Sequence, residues 1–319
     1  MTKKIFISGG AGFIGTNLIS KLIKSKESII TVFDDFSNSY PNFRKIFKNE
    51  IKGKRIKIIK SDLINKQKLF KAIKNHHVVY HLAANSDISL AINNPLIDFK
   101  GTQITSNILE ACRLNKIQHI IYTSGSGIYG DTKKTLYENK INNLEPVSFY
   151  GASKLACEGL MSAYSHMYNM KITVFRMANI IGKYSTHGVI YDFLKKLKKN
   201  KKKLLILGNG TQNKSYLHVE DLITAFLNVT KKQKKKYDIF NVSTDDLITV
   251  NKIANTIFKV TNLKTKKTYT GGNIGWKGDV SYIKLSNKKL KKIGWNYKYN
   301  TSLAVEKTIK ENIYLLNGK

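Results

Sequence analysis

The sequence predicts an α/β protein on a doubly wound parallel sheet. Three features of its first half carry that expectation: short apolar runs, helical stretches between them, and a glycine cluster closing the first run. Lys3–Ser8, Ile29–Asp34, Arg55–Lys60, His77–His81, His119–Ser124 and Ile172–Met177 read as strands. They are near-continuously apolar rather than alternating, as strands covered on both faces are. Phe13–Lys26, Lys66–Asn75, Pro95–Asn115 and Ser148–Tyr168 carry helical periodicity. Repeated strand–helix–strand units imply parallel neighbours joined by helical crossovers.

The second half is mixed. Val189–Asn200, Val219–Lys232, Val250–Val260 and Thr301–Leu316 read as helices, and Leu204–Leu207, Tyr216–His218 and Tyr237–Val242 as short strands. Turns fall at Gly208-Asn209-Gly210 and Gly271-Gly272. The expected organisation is a nucleotide-binding unit over residues 1–180 and about 213–247, with a smaller, partly interleaved substrate unit over about 181–212 and 248–319.

A chain of 319 residues with 42% hydrophobic content can bury a sizeable core. No apolar run is long enough to span a bilayer, and Met1–Ser8 runs straight into a strand without a signal-peptide pattern, so a cytoplasmic protein is expected. The two cysteines, Cys112 and Cys157, lie in helical stretches and exclude a disulfide framework. The net charge of +34 raises the question of nucleic acid. Yet the excess is lysine spread over the whole chain. Its densest runs, Lys195–Lys203 and Lys231–Lys236, fall at helix ends and turns without interleaved aromatics. A solvated, compositionally biased surface is expected, with no specific nucleic-acid partner and no membrane. The seven histidines show no metal-ligand spacing, so no metal is expected; His81 and His218 read as structural.

Ser8-Gly9-Gly10-Ala11-Gly12-Phe13-Ile14-Gly15 follows the first strand and opens the first helix. Glycine is needed where the turn is tight and a pyrophosphate approaches the backbone. The helix start then offers free N–H groups and a positive dipole end to phosphate. Asp34, closing the second strand, can accept hydrogen bonds from both adenosine ribose hydroxyls and would repel a 2′-phosphate, which favours NAD over NADP. These are the marks of a Rossmann dinucleotide site. Asp62, after the third strand and before Leu63, suits either the adenine amino group or a helix N-cap.

Tyr150 and Lys154, four residues apart, share a helix face. A free tyrosine ionises near pH 10. A neighbouring ammonium and a positive nicotinamide ring would favour its phenolate and so make it a base.

The ordered set of the glycine turn, Asp34, His81-Leu82-Ala83-Ala84, Thr123–Gly130 and Tyr150-Gly151-Ala152-Ser153-Lys154 resembles the extended short-chain dehydrogenases/reductases, and within them the NAD-dependent epimerase/dehydratase family. Among familiar members it most resembles the UDP-glucose 4-epimerases. Arg176-Met177-Ala178-Asn179, Lys214–Asp221 and Gly294-Trp295 extend the resemblance over the whole chain. It implies NAD held by Gly9, Gly12, Phe13, Ile14, Gly15, Asp34, Asp62, Leu63, Leu82, Ala83 and Ala84, together with Tyr150 and Lys154. Tyr150 would act as base, with Lys154 as its electrostatic partner. The third catalytic position falls on Gly125, so the bridging hydroxyl is assigned to Ser124 or Ser126. Asn179 would lie at a substrate diphosphate, with Lys214 where an arginine is expected. Trp276 stands at a second arginine position, with Lys277 beside it, either on phosphate or on the surface. His187 is a candidate nucleotide contact. Gly101 replaces an asparagine that orients the catalytic helix. Dehydrating relatives carry an Asp-Glu pair after the catalytic hydroxyl, and decarboxylating ones a Glu. Here Ser126-Gly127 supplies no carboxylate, which leaves reversible oxidation at one carbon. The implied activity is epimerisation of a nucleotide-diphosphate sugar, UDP-linked first and at C4, by a homodimer. The alternatives are a net sugar-nucleotide dehydrogenase or reductase, and a non-catalytic cofactor- or nucleic-acid-binding protein.

Overall fold

The computed structural model describes residues 3–85, 88–139 and 144–317; the extreme ends of the two expected units, residues 1–2 and 318–319, lie outside this range. Seven strands form one parallel sheet: β1 (Lys3–Ser8), β2 (Ser28–Asp34), β3 (Ile56–Lys60), β4 (Val78–His81), β5 (His119–Gly125), β6 (Ile172–Met177) and β7 (Tyr237–Val242). Their order is β3-β2-β1-β4-β5-β6-β7. The order reverses between β1 and β4. The crevice outside the carboxyl ends of those two strands is where open parallel sheets hold ligands.

The continuous apolar strands are explained by cover on both faces. Ile5 and Ile7 of β1 face a cluster with Leu18 and Ile19 of α1 (Phe13–Leu22). Phe6, between them, faces the opposite cluster, which takes Leu69 and Ile73 from α2 (Lys66–Ile73), Ile104 and Ile108 from α3 (Leu96–Leu114), and Met161 from α4 (Phe149–Tyr168). A third cluster stands apart from the sheet and joins α5 (Val189–Lys199), α7 (Val250–Thr261) and α8 (Thr301–Asn312). Between its segments the chain returns to the sheet: α6 (Val219–Lys232) lends Leu222 and Phe226 to the first cluster, and β7 pairs with β6.

Two expectations on elements are corrected. The helix expected over Thr301–Leu316 is broken at Ile313: it ends at Asn312, and a second short helix, Tyr314–Asn317, follows. Asn312 is buried and its side-chain amide donates to the Gly182 carbonyl, which pins the helix end to a distant segment. The N-cap of α2 is Asn65, whose side chain accepts from the Lys68 amide, and not Asp62. Asp62 instead accepts from the Ile64 amide at 3.0 Å and pairs with Lys100 at 2.6 Å.

Candidate functional site

The glycine turn sits at the carboxyl end of β1. Gly9 has φ +68, and a Cβ there would lie 2.7 Å from the Ala83 amide nitrogen, so glycine is required where this turn meets the segment after β4. A Cβ on Gly15 would lie 2.5 Å from the Gly10 carbonyl, which fixes how closely α1 approaches the turn. Gly12 differs: a Cβ there would meet nothing nearer than 3.4 Å, so its outer side is open. Gly12 begins α1 without a capping side chain, which leaves the first-turn amides around Phe13 and Ile14 as donors.

Asp34 ends β2 beside this turn and is nearly buried. Its carboxylate accepts from the Ala11 amide at 2.9 Å and the Phe36 amide at 2.8 Å. Burial, the largest influence, pushes its carboxyl up against the pull of those two bonds. An open cradle at a helix start, with an acid holding the turn in shape, fits a dinucleotide pyrophosphate and ribose. Leu63 is buried, Leu82 and Ala83 are half-buried, and Ala84 is exposed along the next two strand ends.

Tyr150 and Lys154 lie in the first turns of α4, which starts at Ser148, a serine that caps it by accepting from the Gly151 amide. Together with Ala83, Ala84, Asn85, Asp98, Thr105 and Tyr122 they line one small cavity, so the expected cofactor segment and the expected chemical pair do meet. Tyr150 lies along Gly125 and Gly127: a Cβ on Gly125 would come within 3.2 Å of its hydroxyl. Lys154 is buried, donates to the Thr123 carbonyl at 2.7 Å, and sits 4.9 Å from the Tyr122 ring and 5.6 Å from the Tyr150 ring.

The expected electrostatics are corrected in one respect. Burial first, and the Asp98 carboxylate second, push the Tyr150 phenol up to about 12. Burial lowers Lys154 to about 8. In the protein alone, desolvation and the Asp98 charge therefore set the direction of the phenol.

Ser124 is wholly buried, and its hydroxyl has no hydrogen-bond partner among the described residues. It precedes Gly125 on β5 and is not among the residues that line the cavity shared by Tyr150 and Lys154. Ser126 is half-buried in the short turn Ser126–Tyr129. Neither serine bonds to Tyr150.

The outlying candidates are not gathered at this centre. Asn179 donates to the Ser215 carbonyl at 3.3 Å. Lys214 is buried and already paired with Asp279 at 2.6 Å, with its ammonium 5.8 Å from the Trp276 ring. Lys277 and His187 are exposed. His81 is held between Ser8 and Thr105, and burial lowers it to about 3, so it is a neutral structural group. His218 contacts Glu311 at 3.0 Å. Asp98 was missed by sequence reasoning. It is a helix-start acid whose relation to Lys154 exists only after folding.

A family profile described as the NAD dependent epimerase/dehydratase family matches residues 5–243. A protein of Bacillus subtilis (strain 168) named as an uncharacterised UDP-glucose epimerase is 28% identical over 82% of this chain and 83% of its own. The human dTDP-D-glucose 4,6-dehydratase is 25% identical over 96% of this chain and 89% of its own. A crystal structure of UDP-galactose 4-epimerase superposes with a TM-score of 0.85 at 31% identity, covering 98% of each chain. The fold agrees with that structure, and the chain belongs to the NAD-dependent epimerase/dehydratase family.

Proposed function

We propose that this protein epimerises a nucleotide-diphosphate sugar at C4, with a UDP-sugar as first choice, through a transient 4-keto sugar. The observation that carries this is the Tyr150 hydroxyl set against Gly125 at the carboxyl end of β5, with Lys154 anchored behind it and no carboxylate in Ser124–Gly130. Bound NAD supplies a hydride acceptor that becomes the donor for the return step. Tyr150 takes the proton of the C4 hydroxyl and gives it back once the opposite face of the carbonyl is presented. Ser124 or Ser126, on either side of Gly125, is the candidate hydroxyl to bridge the same sugar oxygen and Tyr150. Lys154 holds a positive charge beside the phenolate. Dehydration would need an acid and a base across neighbouring carbons, and the segment that would carry them is Gly125-Ser126-Gly127.

Lys214 carries charge towards the diphosphate, but Asp279 offsets it. Diphosphate affinity therefore depends more on Asn179, Lys277 and the surrounding lysine field than on one cation. Incubation with UDP-, GDP-, dTDP- and CDP-sugars, followed through the anomeric proton signals, tests the proposal. A C4 pair should interconvert without net change in absorbance at the wavelength of reduced cofactor. Irreversible loss of the 6-hydroxyl, or stoichiometric cofactor reduction, would replace it with a dehydratase or a dehydrogenase.

We also propose a homodimer through α3 and α4, where Leu96, Phe99, Leu114, Phe149, Met167 and Tyr168 are exposed. Such an apolar face fits a partner copy. Leu96→Asp combined with Phe99→Asp is expected to halve the mass measured by light scattering, and an unchanged mass would place any interface elsewhere. Among the described residues no helix is long and apolar enough to cross a membrane.

A further inference from the structure

Asp98 is a carboxylate with no role in the chemistry described so far, yet it is 2% exposed in the first turn of α3. One of its oxygens accepts from the Asn85 side-chain amide at 2.9 Å. The other is buried and has no hydrogen-bond partner among the described residues. Leaving such an oxygen unbonded is costly unless something else nearby compensates it. The cavity that Asp98 lines is the one shared by Tyr150 and Lys154. Its backbone is fixed there too: Ser153, next to Lys154, donates to the Asp98 carbonyl at 2.7 Å. That contact exists because residue 101 is glycine, since a Cβ there would lie 2.8 Å from the Ser153 hydroxyl oxygen. The missing asparagine side chain at position 101 thus makes room for a tie between α3 and α4.

Among the described residues, the other titratable groups around Lys154, including Cys157 and Glu158 which also raise it, have partners of their own. Glu158, on the same helix, is held by Arg176 of β6 at 2.7 Å. The Cys157 thiol bonds to Thr105 and to the Gly101 carbonyl. His81 of β4 is neutral, and from β5 come the Tyr122 ring and the Thr123 carbonyl. Among the described residues Asp98, from α3, is the carboxyl that remains; burial pushes it up, while the Asn85 amide and the Lys154 ammonium favour its charged form.

We propose that Asp98 is a positioning residue for the catalytic pair: its buried carboxylate is the counter-charge that keeps Lys154 an ammonium bonded to Thr123 and facing Tyr150. The catalytic consequence rests on the epimerase reading above; the effect on Lys154 does not. Asp98 acts on both partners in the same direction. Its charge raises Lys154 against desolvation and also raises Tyr150, so the phenol stays protonated until a positive cofactor ring lies beside it.

The test uses the full chain with ¹³C-labelled lysine side chains. Lys154 should stand out by titrating near 8, far below ordinary lysines, and Lys154→Arg identifies its signal. In Asp98→Asn the midpoint should fall by about one pH unit, and the alkaline limb of kcat should fall with it. Asp98→Glu should keep both near the parent values. Asp98→Ser, a residue that a first helical turn accepts, carries the same expectation as Asp98→Asn if the latter folds poorly. An unmoved Lys154 midpoint overturns the proposal, including the case where only NAD affinity drops, which would make Asp98 a cofactor ligand. A moved midpoint with an unmoved kinetic limb overturns it as well. If no nucleotide sugar turns over in the parent protein, the epimerase reading fails while the NMR titration still decides the role of Asp98.

Discussion

Tyr150→Phe is expected to lower turnover by about 10²- to 10⁴-fold while NAD still binds, the range associated with loss of a positioned proton-transfer group. The substitution is clean because the ring contacts remain. Tyr150 packs along Gly125 and Gly127, and its hydroxyl accepts or donates no hydrogen bond among the described residues. Thermal stability should therefore change little, and the loss should appear in kcat rather than in KM. The same geometry sets the pH profile. A phenol at about 12 is protonated throughout the neutral range, so the working base must be drawn down by positive charge on two sides. Each pH unit of that displacement corresponds to about 1.4 kcal/mol. Lys154 supplies part of it only while it is an ammonium, which means below about 8. Activity should rise from acid pH as the phenolate forms and decline above pH 8 as Lys154 loses its proton. A profile flat through pH 10 with full activity in Tyr150→Phe would remove the phenol from the mechanism.

The sheet was legible because each of its inner strands is covered twice. Ile5, Phe6 and Ile7 are all buried, on alternate faces, and that is what a continuous apolar run records. The glycine turn was legible for a steric reason: Gly9 and Gly15 have no room for a side chain, so the residue type itself carries the geometry. Elements held only by distant partners left no such trace. The two-residue strands at Asn213–Lys214, Ile248–Thr249 and Tyr282–Ile283 exist because three remote segments meet, and no local pattern announces them.

In the site, spacing placed Tyr150 and Lys154 on one helix face, but it could not say how deeply the fold buries them. Burial reversed the expected direction for the phenol. Likewise, the 52-residue separation of Asp98 from Tyr150 hides their meeting, and the departure at Gly101 gained a meaning only through Ser153. Periodicity reports which side of an element faces the core; the sign of a pKa shift depends on what that core contains.

Lys154→Met is expected to abolish useful turnover and yet to make the protein more stable at neutral pH. A lysine whose folded-state value is about 8, against 10.5 when exposed, is a charge the fold holds at a cost of about 3 kcal/mol. Methionine has a similar length, no charge, and suits the surrounding Tyr122 and Cys157. The Thr123 carbonyl loses a donor, which offsets about 1.5–3 kcal/mol of the gain, so the net increase should be at most about 1–2 kcal/mol. The sign of its pH dependence separates this from ordinary repacking. Below pH 8 both the folded and unfolded lysine are protonated, and the full penalty is present. As pH rises towards 10.5 the folded form sheds its proton first, and the penalty fades. The Tm advantage of the methionine variant should therefore be greatest at or below pH 8 and shrink steadily above it. A constant difference across that window would mean that the charge on Lys154 is not what the fold is paying to keep; a variant less stable at every pH would mean the Thr123 bond outweighs desolvation. Catalysis would in either case lose the cation beside its base, so any stability gained is expected to come with a loss of turnover.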